Sequence, residues 1–123
     1  MATNLTHTLT LSAGTDTVSD SLAFTGTDTL SVEPPIVSMA RVDVIHTGSG
    51  TEIIAAGSHP HTYFYAKNID TTNYVICRNA AGNEWGRLAP GEFMFMAVAE
   101  DQGIEFLAVT ATCEVEYGYW SKS

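Results

Sequence analysis

The sequence predicts an all-β chain: a single-domain antiparallel β-sandwich, jelly-roll-like, over residues 1–123. Three observations predict it. Apolar and polar residues alternate with period two in one stretch after another, as strands with one wet and one dry face require. No 3.6-residue period persists long enough to build a helix. Turn signals rich in Gly, Pro, Asn and Asp recur at short intervals and punctuate hairpins. Strands this short and this numerous, about nine or ten, close into a sandwich or barrel.

The elements follow in order. Residues 4–13 form the first strand, with Leu5, His7, Leu9 and Leu11 on one face and Thr6, Thr8 and Thr10 on the other. Gly14-Thr15-Asp16-Thr17 turns the chain, and the same four residues recur at Gly26-Thr27-Asp28-Thr29. Between them residues 18–24 are a strand with Val18, Leu22 and Phe24 inward. Residues 29–32 make a short strand that Glu33-Pro34-Pro35 stops. Two prolines cannot join a central ladder, so they mark a loop or an edge. Residues 36–46, rich in Val and Ile, form the longest early strand. Thr47-Gly48-Ser49-Gly50 leads to residues 51–56, and Gly57-Ser58-His59-Pro60 to the aromatic run 61–69. Asp70-Thr71-Thr72-Asn73 precedes residues 74–78, and Ala80-Ala81-Gly82-Asn83 precedes 85–88. Pro90-Gly91 is a strong turn signal: Pro presets φ at the second position and Gly accepts positive φ at the third. Residues 93–99 and 103–120 close the domain. The last run alternates Cys113, Val115, Tyr117 and Tyr119 against Thr112, Glu114 and Glu116.

Composition narrows the function classes. Fourteen acidic residues face five basic ones, for a formal charge of −9. Nucleic acids and anionic membranes need Lys and Arg to meet their phosphates, so neither is expected as a partner. The acids are dispersed and keep copies apart in solution. No apolar run is long enough to span a membrane as a helix. The opening Met-Ala-Thr-Asn-Leu-Thr-His has no basic and apolar regions of a signal peptide. Cys77 and Cys113 lie in apolar strand contexts, where free thiols act as small hydrophobes; a cross-strand disulfide is the rival reading.

Chemistry-bearing motifs are sparse. His59 and His61 flank Pro60, but zinc needs three or four ligands, and His7 and His46 lie far off in sequence. Asp16, Asp20 and Asp28 lack the loop spacing of a calcium site and suit hydrogen bonds within their own turns. There is no nucleophile elbow, no His-Glu-x-x-His and no phosphate loop. Glu114 and Glu116 project from one strand face as solvated carboxylates. No catalytic residues, cofactor or metal are therefore expected, and the chain is read as non-enzymatic. Aromatic residues are the stronger candidates: Trp85, Trp120, Tyr63, Tyr65, Tyr74, Tyr117 and Tyr119 suit core packing, a sugar-stacking face or a protein interface. Leu5, Leu9, Tyr117, Tyr119 and Trp120 are the candidate interface residues, and residues 1–13 a candidate arm exchanged with a neighbour.

From Tyr63 onward, about half of the chain, the sequence resembles small virion proteins of tailed bacteriophages. The resemblance rests on Ala-Lys-Asn-Ile-Asp at 66–70, a Gly-containing turn at 82, Arg-Leu-Ala-Pro-Gly-Glu at 87–92, an aromatic strand, and a last strand carrying Glu-Val-Glu-Tyr-Gly. Among such proteins the β-sandwich decoration, or cement, proteins fit best. The resemblance implies a coat protein that binds the major capsid protein on the head exterior, as a homotrimer, after synthesis in the host cytoplasm. The competing expectation is a carbohydrate- or host-receptor-binding module of the virion tail.

Overall fold

The structure, a computed structural model, describes residues 3–13, 22–58, 62–99 and 102–122, and for residues 13, 22 and 34–38 the backbone alone. Among these residues all regular structure is strand: β1 (Thr3–Ala13), β2 (Leu22–Val44), β3 (Thr51–Ile54), β4 (Thr62–Asn68), β5 (Val75–Arg78), β6 (Glu84–Leu88), β7 (Phe93–Val98), β8 (Ile104–Ala108) and β9 (Cys113–Lys122). They form two antiparallel sheets, one ordered β1-β2-β9-β4-β7 and the other β3-β8-β5-β6. The expected all-β sandwich is what the chain adopts.

The period-two pattern explains why the sheets pack. Along β4 burial alternates strictly, with Thr62, Phe64, Ala66 and Asn68 inward. From the first sheet Val44, Phe64, Val98, Cys113, Val115 and Tyr119 enter the core; from the second, Ile54, Val75, Cys77, Leu88, Ile104 and Phe106 meet them. The Phe64 and Phe106 rings, one from each sheet, lie 5.9 Å apart at 58°. Tilted ring pairs at this separation add to the burial of apolar area.

Pairing is nested. β5 pairs with β6, β4 with β7, β3 with β8 and β2 with β9. The chain from β2 to β5 is thus matched against the chain from β6 to β9. Consecutive long strands β8 and β9 lie in different sheets, so the final run is two strands divided by a bend at residues 109–112.

The N-terminal third departs from expectation. Gly26-Thr27-Asp28-Thr29 is no turn: each residue is paired within β2, opposite Leu9, Thr8, His7 and Thr6. Threonine is β-branched and suits a strand, so two threonines outweigh the turn preference of Gly and Asp. The matching Gly14–Thr17 turn and the start of the 18–24 strand lie outside the described residues. Phe24 is not inward but 52% exposed; among the described residues this part of β2 pairs with β1 alone and lies outside the sandwich core. Glu33-Pro34-Pro35 does not stop the strand either. The backbone stays extended through it, and the register against β9 shifts between Val32, Pro35, Val37 and Ala40. Among the described residues the pairing with β1 stops at Val32, so beyond it β2 pairs on one side, with β9. A proline's missing N–H is harmless on such an edge.

The result is an arm. β1 and residues 22–32 of β2 form a two-stranded ribbon of eleven paired rungs, which among the described residues shares strand pairing with the sandwich only where Val32 faces both Thr3 and Lys122. At about 3.3 Å per residue it is roughly 35 Å long.

Candidate interaction surface

Because Phe64 and Ala66 fill the core, Tyr63 and Tyr65 must point to the outer face of their sheet. Register places Trp120 and Gly118 of β9 beside them on one flank, and Ala97 and Phe95 of β7 on the other. Phe93 lies opposite Lys67 and extends the same face. Tyr63 stacks on Phe95 at 6.1 Å, and the Lys122 ammonium lies 5.1 Å from the Tyr63 ring centre. An apolar, aromatic strip therefore runs across a sheet face that an isolated sandwich would leave wet.

The arm folds back over this strip. Its two faces differ sharply. One carries Thr6, Thr8, Thr10, Thr25, Thr27 and Thr29, with cross-strand hydroxyl pairs at Thr6–Thr29 (3.3 Å) and Thr8–Thr27 (3.2 Å). The other carries a mostly apolar set, Leu5, His7, Leu9, Leu11, Phe24 and Leu30, with Asp28 opposite His7. That apolar face meets the strip through His7, whose ring stacks on Phe95 at 4.7 Å and 23°. The seat is poorly filled. A cavity of about 490 Å³ lies between His7, Thr8 and Leu9 of the arm and Tyr65, Phe93 and Phe95 of the sandwich. The buried His7 Nδ1 has no hydrogen-bond partner. Leu9, Leu11 and Phe93 stay 43%, 46% and 60% exposed.

Each candidate from the sequence has a place. Leu5 and Leu9 are on the apolar arm face. Trp120 is half-buried on the outer strip. Tyr117 and Tyr119 turn the other way: Tyr119 is 8% exposed in the core, and Tyr117 packs against that core. Their rings stack 6.3 Å apart, and burial, with Tyr117 beside it, raises the Tyr119 hydroxyl pKa. Trp85, on edge strand β6, lines a small cleft of about 130 Å³ with Met96 and Ile104. The sequence reading passed over Phe93, Phe95 and His7. Phe93 and Phe95 alternate with Met94 and Met96, so the run is apolar on both faces and gave no sign of which residues face out.

A second arrangement joins the two motifs of the sequence resemblance. Asn68, fully buried, donates from Nδ2 to the carbonyls of Asn73 (2.8 Å) and Leu88 (3.0 Å). Its Oδ1 accepts from the Asp70 N–H at 3.0 Å. Its backbone N–H donates to Glu92 O, and its carbonyl accepts from Gly91 N–H. The Lys-Asn-Ile-Asp and Pro-Gly-Glu segments are thus one structural junction. Asp70 Oδ2 accepts from the Thr72 and Asn73 N–H groups at 2.9 and 2.7 Å, and these bonds hold its carboxyl below the ordinary range.

The remaining groups serve structure. Cys77 and Cys113 are buried, unbonded thiols. Burial, helped by Glu84, pushes the Cys77 pKa up to about 12. Cys113 Sγ donates to the Tyr74 carbonyl at 3.5 Å. Glu114 and Glu116 lie 3.9 and 3.8 Å from Arg41, exposed pairs of small energetic weight. Among the described residues no cluster of three or more His, Cys, Asp or Glu could hold a metal ion; His59, His61, Asp16 and Asp20 lie outside them. Comparison with protein-family models, curated proteins and solved structures finds no match to this chain.

Proposed function

We propose that this chain is a non-enzymatic virion structural protein of a tailed phage: a capsid decoration protein that binds the major capsid protein on the head exterior and stabilises the shell. One observation carries the reading. A long ribbon stands outside the sandwich core with an apolar face only partly covered, on a chain of formal charge −9. Monomers seldom expose contiguous apolar surface without using it. Charge keeps free copies soluble, while local apolar patches gain energy on docking. The nested pairing of β2–β9, β3–β8, β4–β7 and β5–β6 supports a jelly-roll reading, an architecture found in capsid and lectin domains alike. Fold analogy alone does not assign function, so the arm and the sequence resemblance bear the weight. The self-association expected of such a protein is a homotrimer.

The test is direct. Purified heads should carry the chain in stoichiometric amount on their outer surface. Heads assembled without it should break at lower temperature or milder osmotic shock. Equal robustness with and without the protein would sink the reading. The outer strip of Tyr63, Tyr65, Phe95 and Trp120 favours one alternative, a glycan- or receptor-binding module of the tail, since flat aromatic faces stack on sugars. Titration of the isolated chain with host surface glycans separates the two.

A further inference from the structure

We infer that the whole hairpin formed by β1 and residues 22–32 is an exchangeable arm, and that its seat is the outer aromatic strip of a second copy of this chain. The inference rests on the decoration reading for its setting, but its evidence is separate.

The first argument is recognition. The strip bearing Tyr65, Phe93 and Phe95 already accepts this arm through the His7–Phe95 stack and the Leu9 side of the cavity. An identical strip on a neighbour offers the same contacts. Exchange of an identical element is a low-cost route to an oligomer, because no new interface must be invented.

The second argument is the hinge. Among the described residues the arm shares strand pairing with its own body at Val32 alone, and immediately beyond lie Pro34-Pro35 and three register shifts, up to Ala40. β2 keeps extended backbone from Leu22 to Val44, so opening needs the bend to relax and no secondary structure to melt. The prolines favour extended backbone and contribute no N–H to a ladder. Short, irregular hinges invite exchange.

The third argument is the fit at home. Folding back on its own body leaves the cavity of about 490 Å³ and leaves Leu11 and Phe24 half-exposed. These two residues lie opposite one another two rungs beyond Leu9. His7 meets Phe95, and the cavity beside His7 and Leu9 extends to Phe93. Exchange preserves the seat contacts and brings a second body against the Leu11–Phe24 pair and Phe93. A lone strand of residues 1–13 is not the moving unit, since β1 is paired along its whole length with β2.

The experiment uses two variants of the full chain with one added cysteine each, His7→Cys and Phe95→Cys, and a short bismaleimide. The native Cys77 and Cys113 are buried and are checked by the unmodified chain. The variants are unfolded, mixed, refolded together and cross-linked. Exchange predicts a covalent dimer containing one chain of each variant, absent when either variant is treated alone. The double variant should give the same interchain product. Leu9→Cys with Phe93→Cys repeats the test at more exposed positions, which tolerate substitution should the first pair misfold. Cross-linking confined to single chains overturns the inference, whether sedimentation shows monomer or oligomer. The outcomes also separate the two proposals. An oligomer linked only within chains removes exchange and leaves decoration standing. Interchain linkage in a protein that ignores heads removes decoration and leaves exchange standing.

Discussion

Gly91 shows how a single residue sets a turn. The Glu92 N–H donates to Ala89 O at 3.0 Å and Gly91 has φ 85°, the signature of a type II turn with Pro90 at its second position. A Cβ at Gly91 would meet nothing within 4 Å, so the cost of Gly91→Val is backbone strain alone, about 1–3 kcal/mol. Chemical denaturation should show that loss with an unchanged slope; a neutral result would refute the turn type. Asn68 is a stronger case. Asn68→Ala strips the Asn73 and Leu88 carbonyls and the Asp70 N–H of their partner, the Leu88 contact buried and the other two partly buried. Leaving buried polar groups unpaired should cost about 2–4 kcal/mol in the same assay. Asn68→Asp should not rescue it, because a carboxylate cannot donate to the two carbonyls. The thiols make a third test. With Cys77 and Cys113 buried and the Cys77 pKa pushed up to about 12, a thiol reagent should label neither in the native protein and both after unfolding. The turn was legible in the sequence because Pro-Gly states its own geometry. The junction was not: Asn68 reads as an ordinary loop-side amide until the fold brings residues 88–92 beside it.

At the scale of elements, legibility depended on whether a segment's partners were local. β4 alternates strictly and β9 does so over Cys113–Val115, because each has one face in the core, and alternation is the direct imprint of that burial. β2 was read as three pieces because Gly26, Asp28 and Pro34-Pro35 are strong local breakers. Pairing with β1 along eleven rungs outweighed Gly26 and Asp28, while past Val32 the strand continues through Pro34-Pro35 against β9, and no local rule encodes a partner. The outer strip stayed hidden for a related reason: Phe95 and Tyr63 mark a covered face only once the arm is known to cross it. The arm itself has a measurable consequence. Its ribbon has two strands and rests on the outer strip across a poorly filled cavity, whereas β4 lies between β9 and β7. Amides in 3–13 and 22–31 should exchange with deuterium well before those of β4 and β9, because elements with few buried contacts open at lower free energy. Equal protection in arm and sandwich would mean that the ribbon is locked down more firmly than its half-exposed leucines indicate.

The whole molecule balances a dispersed negative charge against a few directed carboxylate bonds, and acid sets these in opposition. Lowering pH reduces the formal −9 and relieves self-repulsion. It also protonates Asp70, whose pKa is lowered chiefly by the backbone N–H of Asn73 and then of Thr72, and Glu84, whose pKa is lowered by the Arg87 side chain. The directed bonds should win. Charges spread over the surface are screened beyond about 8 Å at physiological salt, while the Asp70 contacts are direct hydrogen bonds of 2.7–2.9 Å. The sign follows from linkage. A carboxyl whose folded pKa lies below its unfolded value binds fewer protons when folded. Its stabilisation is therefore present above the unfolded pKa, about 4 for Asp and Glu, and is lost as pH falls through the folded value. The melting temperature should be flat from pH 6 to 8 in this respect and should fall below about pH 4. Asp70→Asn keeps a neutral acceptor at the same turn. It should melt lower than the parent at pH 7 and lose less on acidification, so that the two curves converge at low pH. Parallel curves would show that the Asp70 bonds contribute nothing that depends on its charge, and that the acid side of the profile belongs to the dispersed surface instead.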